Sequence, residues 1–253
     1  MLYQTEGVVL SAMDLGEHDR LISILTEKEG LVRAVVRGAR KPKSKLSALT
    51  QPFTRAQFQL FRGKSMDRVT QVSLMDSHPG IVGDYERLVY GGYISELVSC
   101  LVPERESNPH IYAMFVKALD YLDEEREPWT VTKWAELGFL STAGFLPSLD
   151  SCSYCGNPIS GRAFFSPDDG GALCEGCRGK SRFPETVSEV SRGALRTLSL
   201  LCGRRDCPNI VARGQVRDEA GSAMKKYIAH ILGKHPKSLA LVERLEAEGT
   251  SEE

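Results

Sequence analysis

Apolar and polar residues alternate with a period of two through most of the first 79 residues of the chain. Five such runs predict β-strands, because successive side chains on a strand point to opposite faces of the sheet. Short clusters containing Gly, Asp or Lys, which are typical of turns, separate several of the runs. The predicted strands cover residues 4–12, 19–26, 31–37, 55–62 and 68–76.

Five short strands at this spacing predict a small β-barrel over residues 1–79. The third connection is long, from about residue 38 to residue 53. An oligonucleotide-binding (OB) barrel carries a helix between its third and fourth strands at this place. An SH3-like barrel or a plain meander of strands would give much the same pattern, so periodicity alone leaves these alternatives open.

Beyond Pro79 the apolar spacing changes to three and four, which is typical of helices. Three helices are predicted in residues 80–147, and the first of them begins after Asp84 as its N-cap. Residues 183–253 predict three more helices, the first with Ser188 as its N-cap, and then an acidic tail. The fold class is therefore predicted to be α+β and multidomain. The predicted helices cover residues 84–101, 108–122, 129–143, 187–201, 215–232 and 238–248.

The composition of the whole chain is ordinary for a globular protein, with 253 residues and a formal net charge of −1. No apolar run approaches the roughly 18 residues that a membrane helix needs. The first residues lack the cationic start and apolar centre of a signal peptide, so we expect a cytoplasmic protein. In a reducing compartment, the seven cysteines are better explained as metal ligands or buried thiols than as a disulfide framework.

Positive charge is concentrated between Leu31 and Arg68, where ten Lys or Arg residues face a single acid, Asp67, and the net charge is +9. Five of these cations lie between Arg37 and Lys45, a stretch whose Gly and Pro predict a mobile loop. This segregation indicates a polyanion partner, and a solvated basic face is the alternative. The candidate nucleic-acid-binding residues are Arg33, Arg37, Arg40, Lys41, Lys43, Lys45, Arg55, Arg62 and Lys64.

Three phenylalanines are interleaved with these cations and offer aromatic faces on which bases can stack. They are Phe53, Phe58 and Phe61. Their spacing also fits ordinary strand packing, and we predict core packing for at least two of the three.

The most specific motif is a pair of Cys-x-x-Cys sequences separated by eighteen residues. Each forms a tight knuckle that offers two sulfurs to one tetrahedral ion, so Cys152, Cys155, Cys174 and Cys177 predict a zinc ribbon over residues 148–182. Four protein ligands close the coordination shell, and we therefore expect one structural Zn²⁺ ion. A redox dithiol is a weaker alternative, and a zinc deaminase is disfavoured because no His lies between His110 and His230.

No catalytic set emerges from the sequence. Neither a Gly-x-x-x-x-Gly-Lys-Ser/Thr loop nor a Gly-x-Gly-x-x-Gly fingerprint is present, which counts against a nucleotide-driven motor or a dinucleotide enzyme. Glu17, His18 and Asp19 form the nearest constellation and are better explained as a turn and the start of a strand. We therefore expect a binding protein rather than an enzyme.

Several motifs taken together resemble the bacterial RecO family of recombinational DNA-repair proteins, and the resemblance covers essentially the whole chain. They are TEGVVL at residues 5–10, EHDRL at 17–21, VRGARKPKS at 36–44, LTQPF at 49–53 and the two cysteine pairs. The resemblance implies an OB barrel over residues 1–79, a helical domain in two parts (80–147 and 183–253), and a zinc-ribbon-like insertion between those parts.

The same resemblance implies a non-enzymatic mediator at the nucleoid. Such a protein binds single- and double-stranded DNA, anneals complementary strands and works with RecR. It also engages the C-terminal tail of single-stranded-DNA-binding protein so that RecA loads at gaps, with RecF as a functional partner. The matched basic motif carries DNA contact onto Arg33, Arg37, Arg40, Lys41, Lys43 and Lys45, whereas Arg55, Arg62 and Lys64 are added on charge alone. An RNA- or ribosome-associated factor with the same two modules is the alternative function.

Overall fold

The structure is a computed structural model that describes residues 1–249 and divides into two compact units. The first unit ends at Glu125 and the second begins at Arg126. Of the predicted acidic tail, residues 250–253 lie outside the described residues. Within residues 1–249, no helix combines the length and the apolar character that crossing a lipid bilayer requires.

Five strands of the first unit close into a barrel, as the alternating pattern predicts. They pair in the order β1-β2-β3-β5-β4, and β1 also pairs with β4. The pairing of β3 with β5 is parallel and the other pairings are antiparallel, which excludes a plain meander and gives the OB-like arrangement. The strands are β1 (Leu2–Leu15), β2 (Asp19–Thr26), β3 (Gly30–Val36), β4 (Arg55–Phe61) and β5 (Asp67–Asp76).

Strand β1 is shared by both sides of the barrel, because its first half pairs with β4 and its second half with β2. Gly7 lies where the two pairings overlap. A Cβ atom at this position would come within 2.6 Å of the Ile24 side chain, so the close approach of β1 to β2 requires glycine. Inward-facing residues of all five strands, with Ala39, fill the barrel: Val9, Ile22, Ile24, Val32, Ala34, Val36, Ala56, Phe58, Leu60 and Val69.

A short helix, α1 (Leu46–Leu49), lies in the long connection between β3 and β4. Three more helices complete the first unit: α2 (Pro79–Val82), α3 (Tyr85–Leu101) and α4 (Pro109–Asp123). Asp84 caps α3 as predicted, because its side chain accepts a hydrogen bond from the backbone N–H of Arg87. Asn108 caps α4 in the same way.

His78 joins the end of the barrel to helix α4 and is almost fully buried. Its Nδ1 lies 2.8 Å from the carbonyl oxygen of Phe53, and its Nε2 lies 3.2 Å from a carboxylate oxygen of Asp120. Both neighbours are hydrogen-bond acceptors, so the ring satisfies them together only when both nitrogens carry a proton. Burial lowers the pKa of His78, but these hydrogen bonds outweigh it and the pKa lies above its ordinary value.

The second unit combines helices with a small sheet in the order β7-β6-β8. Trp129 and Trp134 of α5 are fully buried. The elements are α5 (Pro128–Thr142), β6 (Ala163–Ser166), β7 (Gly171–Cys174), β8 (Ser188–Val190), α6 (Arg192–Leu201), α7 (Gly214–Leu232) and α8 (Leu239–Gly249).

The helix predicted from residue 187 begins later than expected. Ser188 does not cap it, because residues 188–190 form β8 and pair with β6. Ser191 is the N-cap instead, and its hydroxyl accepts a hydrogen bond of 3.1 Å from the backbone N–H of Ala194. A three-residue strand is too short to show alternation, so the helical pattern that follows it masked the strand.

Candidate nucleic-acid interface and metal centre

The basic loop between β3 and α1 is hydrogen-bonded to the turn between β1 and β2. The backbone N–H of Arg40 donates a 2.9 Å hydrogen bond to the carbonyl of His18, and the N–H of Gly38 donates a 2.8 Å bond to the Asp19 carboxylate. The side chain of Arg40 adds a 2.7 Å hydrogen bond to the carbonyl of Gly16. The loop is therefore anchored at its beginning by the neighbouring turn.

Four cations of this loop are exposed and form no ion pair within residues 1–249. They are Arg37, Lys41, Lys43 and Lys45. Lys43 has a positive φ of 64°, so the loop turns sharply at that residue. The arrangement leaves four positive charges in the solvent, and no carboxylate of the described part of the chain neutralises them. We refer to these four residues as the loop cations.

The other candidate cations of the barrel differ in their pairing. Arg33 lies 2.9 Å from Glu104, Arg40 lies 3.1 Å from Asp14, and Arg62 pairs with Glu29. Lys64 is exposed, and within the described part of the chain it has no ion-pair partner. Sequence reasoning assigned all of these cations one role, whereas the structure gives three of them a carboxylate neighbour.

Arg55 is only partly exposed and lies in a hydrogen-bond network with Glu6 and Tyr112. Its guanidinium lies 2.6 Å from the Glu6 carboxylate, which also accepts a 2.8 Å hydrogen bond from the Tyr112 hydroxyl. Burial lowers the pKa of Arg55, but the hydrogen bond to Glu6 and the charges of Glu6, Tyr112 and Asp120 together outweigh it, and the pKa is raised overall. These contacts join the barrel to helix α4, so Arg55 has a structural role in the folded unit.

Asp67, the single acid of the basic segment, is buried. Arg105 donates hydrogen bonds of 2.7 and 3.0 Å to its two oxygens, and the Tyr3 hydroxyl donates another. Burial raises the pKa of Asp67, but these hydrogen bonds outweigh it and the pKa lies below its ordinary value. The only negative charge of the segment is thus withdrawn from the surface. Sequence reasoning did not identify Arg105, which lies 38 residues away and belongs to no motif.

The three phenylalanines divide between the core and the surface. Phe53 and Phe58 are buried, which confirms the core role predicted for at least two of the three. Phe61 is 45% exposed on the outer surface of the barrel. One aromatic face is therefore available beside the cations.

The four predicted metal ligands lie together in the second unit. The sulfur atoms of Cys152, Cys155, Cys174 and Cys177 all lie within 4.8 Å of one another, and those of Cys155 and Cys174 are 3.9 Å apart. In a tetrahedral site with metal–sulfur bonds of about 2.3 Å, the sulfurs lie about 3.8 Å apart. The cluster therefore fits one metal ion.

Backbone hydrogen bonds shape the two knuckles. The N–H of Gly156 donates to the carbonyl of Cys152 at 2.8 Å, and the N–H of Cys177 donates to the carbonyl of Cys174 at 3.0 Å. Gly156 has a positive φ of 76°, which explains glycine at this position. Gly176 of the second knuckle does not have a positive φ.

Within the cluster the surroundings favour the thiolate of Cys152, whereas burial and the neighbouring cysteines raise the pKa of Cys177 to about 12. Burial raises the pKa of Cys152, but backbone hydrogen bonds from Cys174, Cys155 and Tyr154 outweigh it and lower the pKa to about 6. Phe164 and Leu173 pack against Cys152 and Cys177 and cover one side of the site. All four sites of a tetrahedral shell come from the protein, an arrangement typical of structural metals.

Family comparison agrees with both halves of this architecture. Residues 1–78 match the family model described as Recombination protein O N terminal, and residues 82–240 match the model described as Recombination protein O C terminal. The chain belongs to the RecO family.

Relatives described as DNA repair protein RecO align with nearly the full length of the chain. The RecO of Symbiobacterium thermophilum is 35% identical over 233 residues, which cover 90% of this chain and 91% of the relative. The RecO of Desulforudis audaxviator is 32% identical over 251 residues, with 96% and 97% covered. The resemblance drawn from the motifs is thereby confirmed, and the chain is a member of a DNA repair protein family.

Proposed function

We propose that this chain is a mediator of DNA repair and homologous recombination. It binds single- and double-stranded DNA and anneals complementary strands. Together with RecR, and functionally with RecF, it helps RecA to load onto gaps coated with single-stranded-DNA-binding protein, whose C-terminal tail it engages. The observation that carries the proposal is the set of loop cations, which have no carboxylate partner within residues 1–249 and lie on an OB-like barrel of a RecO family member.

Charge alone accounts for the DNA binding that we propose. Cations that neutralise phosphates release condensed counterions, which gives affinity without sequence preference. Contact with about six phosphates of a single strand would make log affinity fall against log salt with a slope of roughly −4. Lys64 and the paired cations Arg33, Arg40 and Arg62 would extend the contact along the barrel, and Arg55 would add least because Glu6 and Tyr112 hold it.

Annealing requires no bond to be made or broken in either strand. Two strands must be held close together, with their mutual repulsion screened and their bases free to pair. A positively charged surface supplies the screening, and no general acid, base or nucleophile takes part. We therefore propose a non-enzymatic protein that works in the cytoplasm at the nucleoid.

We propose Zn²⁺ as the ion of the cysteine cluster. Four thiolates in a closed shell favour zinc over the hard cations Mg²⁺ and Ca²⁺, which prefer oxygen ligands. When bound, the ion would join the two knuckles and stabilise the small sheet. Its role would be structural, because the cysteines leave no open coordination position.

Annealing of two complementary oligonucleotides, each coated with single-stranded-DNA-binding protein, tests the proposed function. We expect the native chain to accelerate annealing and a variant with Arg37, Lys41, Lys43 and Lys45 changed to Glu to lose that activity while it remains folded. A matched control reverses four exposed cations of the second unit, and we expect it to anneal at close to the native rate: Arg192, Arg196, Lys226 and Lys234.

Three results would count against the proposal. They are failure of the native chain to anneal, the full annealing rate in the loop variant, and a loss of activity in the control as large as that in the loop variant. Repeating the binding assay with RNA of the same sequence distinguishes the alternative function. An RNA-associated factor would bind RNA more tightly than DNA and would not anneal coated strands.

A further inference from the structure

Three cross-strand neighbours form an exposed row on the outer surface of the barrel. Leu2 of β1 pairs with Phe61 of β4, and Phe61 pairs in turn with Arg68 of β5. Leu2 is 52% exposed and Phe61 is 45% exposed. The guanidinium carbon of Arg68 lies 5.7 Å from the centre of the Phe61 ring, within the range of a cation–π contact.

The turn that joins β4 to β5 extends this row. Met66 is 41% exposed, and Lys64 is exposed as well. Neither Lys64 nor Arg68 has an ion-pair partner among residues 1–249. Two unpaired cations therefore flank an accessible aromatic ring and an accessible methionine.

No carboxylate faces outward along β4 and β5 between residues 57 and 75. Asp67, the one acid in that stretch, is buried and held by Arg105. The outward residues of β4 and β5 beyond the row include the exposed apolar residues Leu74 and Met75. The others are neutral and polar: Gln57, Gln59, Thr70, Gln71 and Ser73. Between residues 57 and 75, a polyanion would therefore meet no repelling carboxylate on these strands.

We propose that Phe61, Arg68 and Lys64 form a platform on which an unpaired base of single-stranded nucleic acid stacks. An exposed aromatic face accepts any base, and the two cations neutralise the phosphates beside it. Bases within a duplex are already stacked and cannot reach such a ring, so the platform favours single strands. This inference rests on the proposed function and adds to it the residues that distinguish single from double strands.

The platform differs from the loop cations in what it recognises. Phosphates are common to single and double strands, so the loop cations contribute to binding of both. The Phe61 ring requires an accessible base. A substitution at Phe61 is therefore expected to weaken one class of ligand and spare the other.

Direct binding of a fluorescently labelled oligothymidine and of a duplex of equal length tests the platform. We expect Phe61→Ala to weaken binding to the single strand about tenfold and to weaken duplex binding less than about twofold. Leu74→Ala is the matched control, because Leu74 is a similarly exposed apolar residue at the other end of β5, and we expect native affinity for both ligands.

Phe61→Trp supplies a readout that a merely structural role of Phe61 would not give. An indole at this position retains a stacking face, so we expect near-native affinity and quenching of its emission by the bound single strand. Trp129 and Trp134 are buried and provide the unquenched background.

Each outcome decides a different point. If the native chain binds DNA and Phe61→Ala binds the single strand equally well, the platform is wrong and the proposed function stands. If single-strand and duplex affinities fall equally, base stacking is also excluded. If the native chain binds neither ligand, the proposed function fails and the platform fails with it. If Phe61→Ala binds the single strand with native affinity but loses binding to a protein partner, the row is a protein-docking surface.

Discussion

The barrel and the cysteine-bearing sheet are both small β structures, but they are stabilised differently. Barrel strands run for 7 to 14 residues and enclose eleven buried apolar residues. The sheet of the second unit has strands of three or four residues, and its buried cluster has four members, of which two are cysteines. Burial of apolar side chains accounts for the first structure. Apolar residues of β6 and β7, such as Phe165, are buried in the second as well, and we propose that a metal ion held by the four cysteines adds to its stability.

Removal of the metal is the strongest test of this difference. We expect one zinc ion per native chain by metal analysis, and none after Cys152→Ser combined with Cys174→Ser. Without the ion, amides of β6 and β7 should lose most of their protection against hydrogen exchange, because the knuckles no longer hold them. Amides of β2 and β3 should keep theirs. Retained protection in a metal-free chain would mean that the sheet is stable by itself.

The second-largest expected effect comes from truncating a side chain in the barrel core. Phe58→Ala removes a fully buried ring, and we expect it to lower the free energy of unfolding by about 3–5 kcal/mol in denaturant titrations. Phe61→Ala, on the opposite face of the same strand, serves as the control, and its effect should be about 1 kcal/mol or less. Equal losses for the two variants would contradict the division between the inner and outer faces of β4.

The smallest effect concerns the pH dependence of stability through His78. Its pKa is raised in the folded state above the ordinary value of 6.5, so its contribution is fully present below that pH. The contribution is lost as the pH rises through the folded pKa, when Nε2 gives up the proton that bonds Asp120. Denaturant titrations should show that the free energy of unfolding falls more between pH 6 and pH 8.5 for the native chain than for His78→Gln. An identical drop would show that His78 is not charged.

Sequence patterns predicted the barrel well because its strands are long and half-buried. Strand β2 was predicted at its observed bounds, and β1 proved longer than predicted because it pairs on both sides. Strand β8 was missed because three residues show no period, and its pairing partner β6 lies more than twenty residues earlier.

At the candidate sites, too, local sequence patterns predicted local features but not contacts between distant residues. Local spacing was sufficient to predict the cysteine cluster, since each knuckle is a contiguous motif. Charge counting could not separate Lys41 from Arg55, because the difference lies in Glu6 and Tyr112, which come from remote elements. Likewise, nothing near Asp67 in the sequence indicated that Arg105 would bind it.

The contact between Asp67 and Arg105 also limits how the molecule can be divided. Family boundaries near residue 80 suggest that the barrel is a separable module. Cutting there would leave Asp67 buried with its charge uncompensated, at a cost of several kcal/mol. The compact unit that ends at Glu125 keeps Asp67 and Arg105 together, so a fragment designed to fold by itself should include the three helices that follow the barrel.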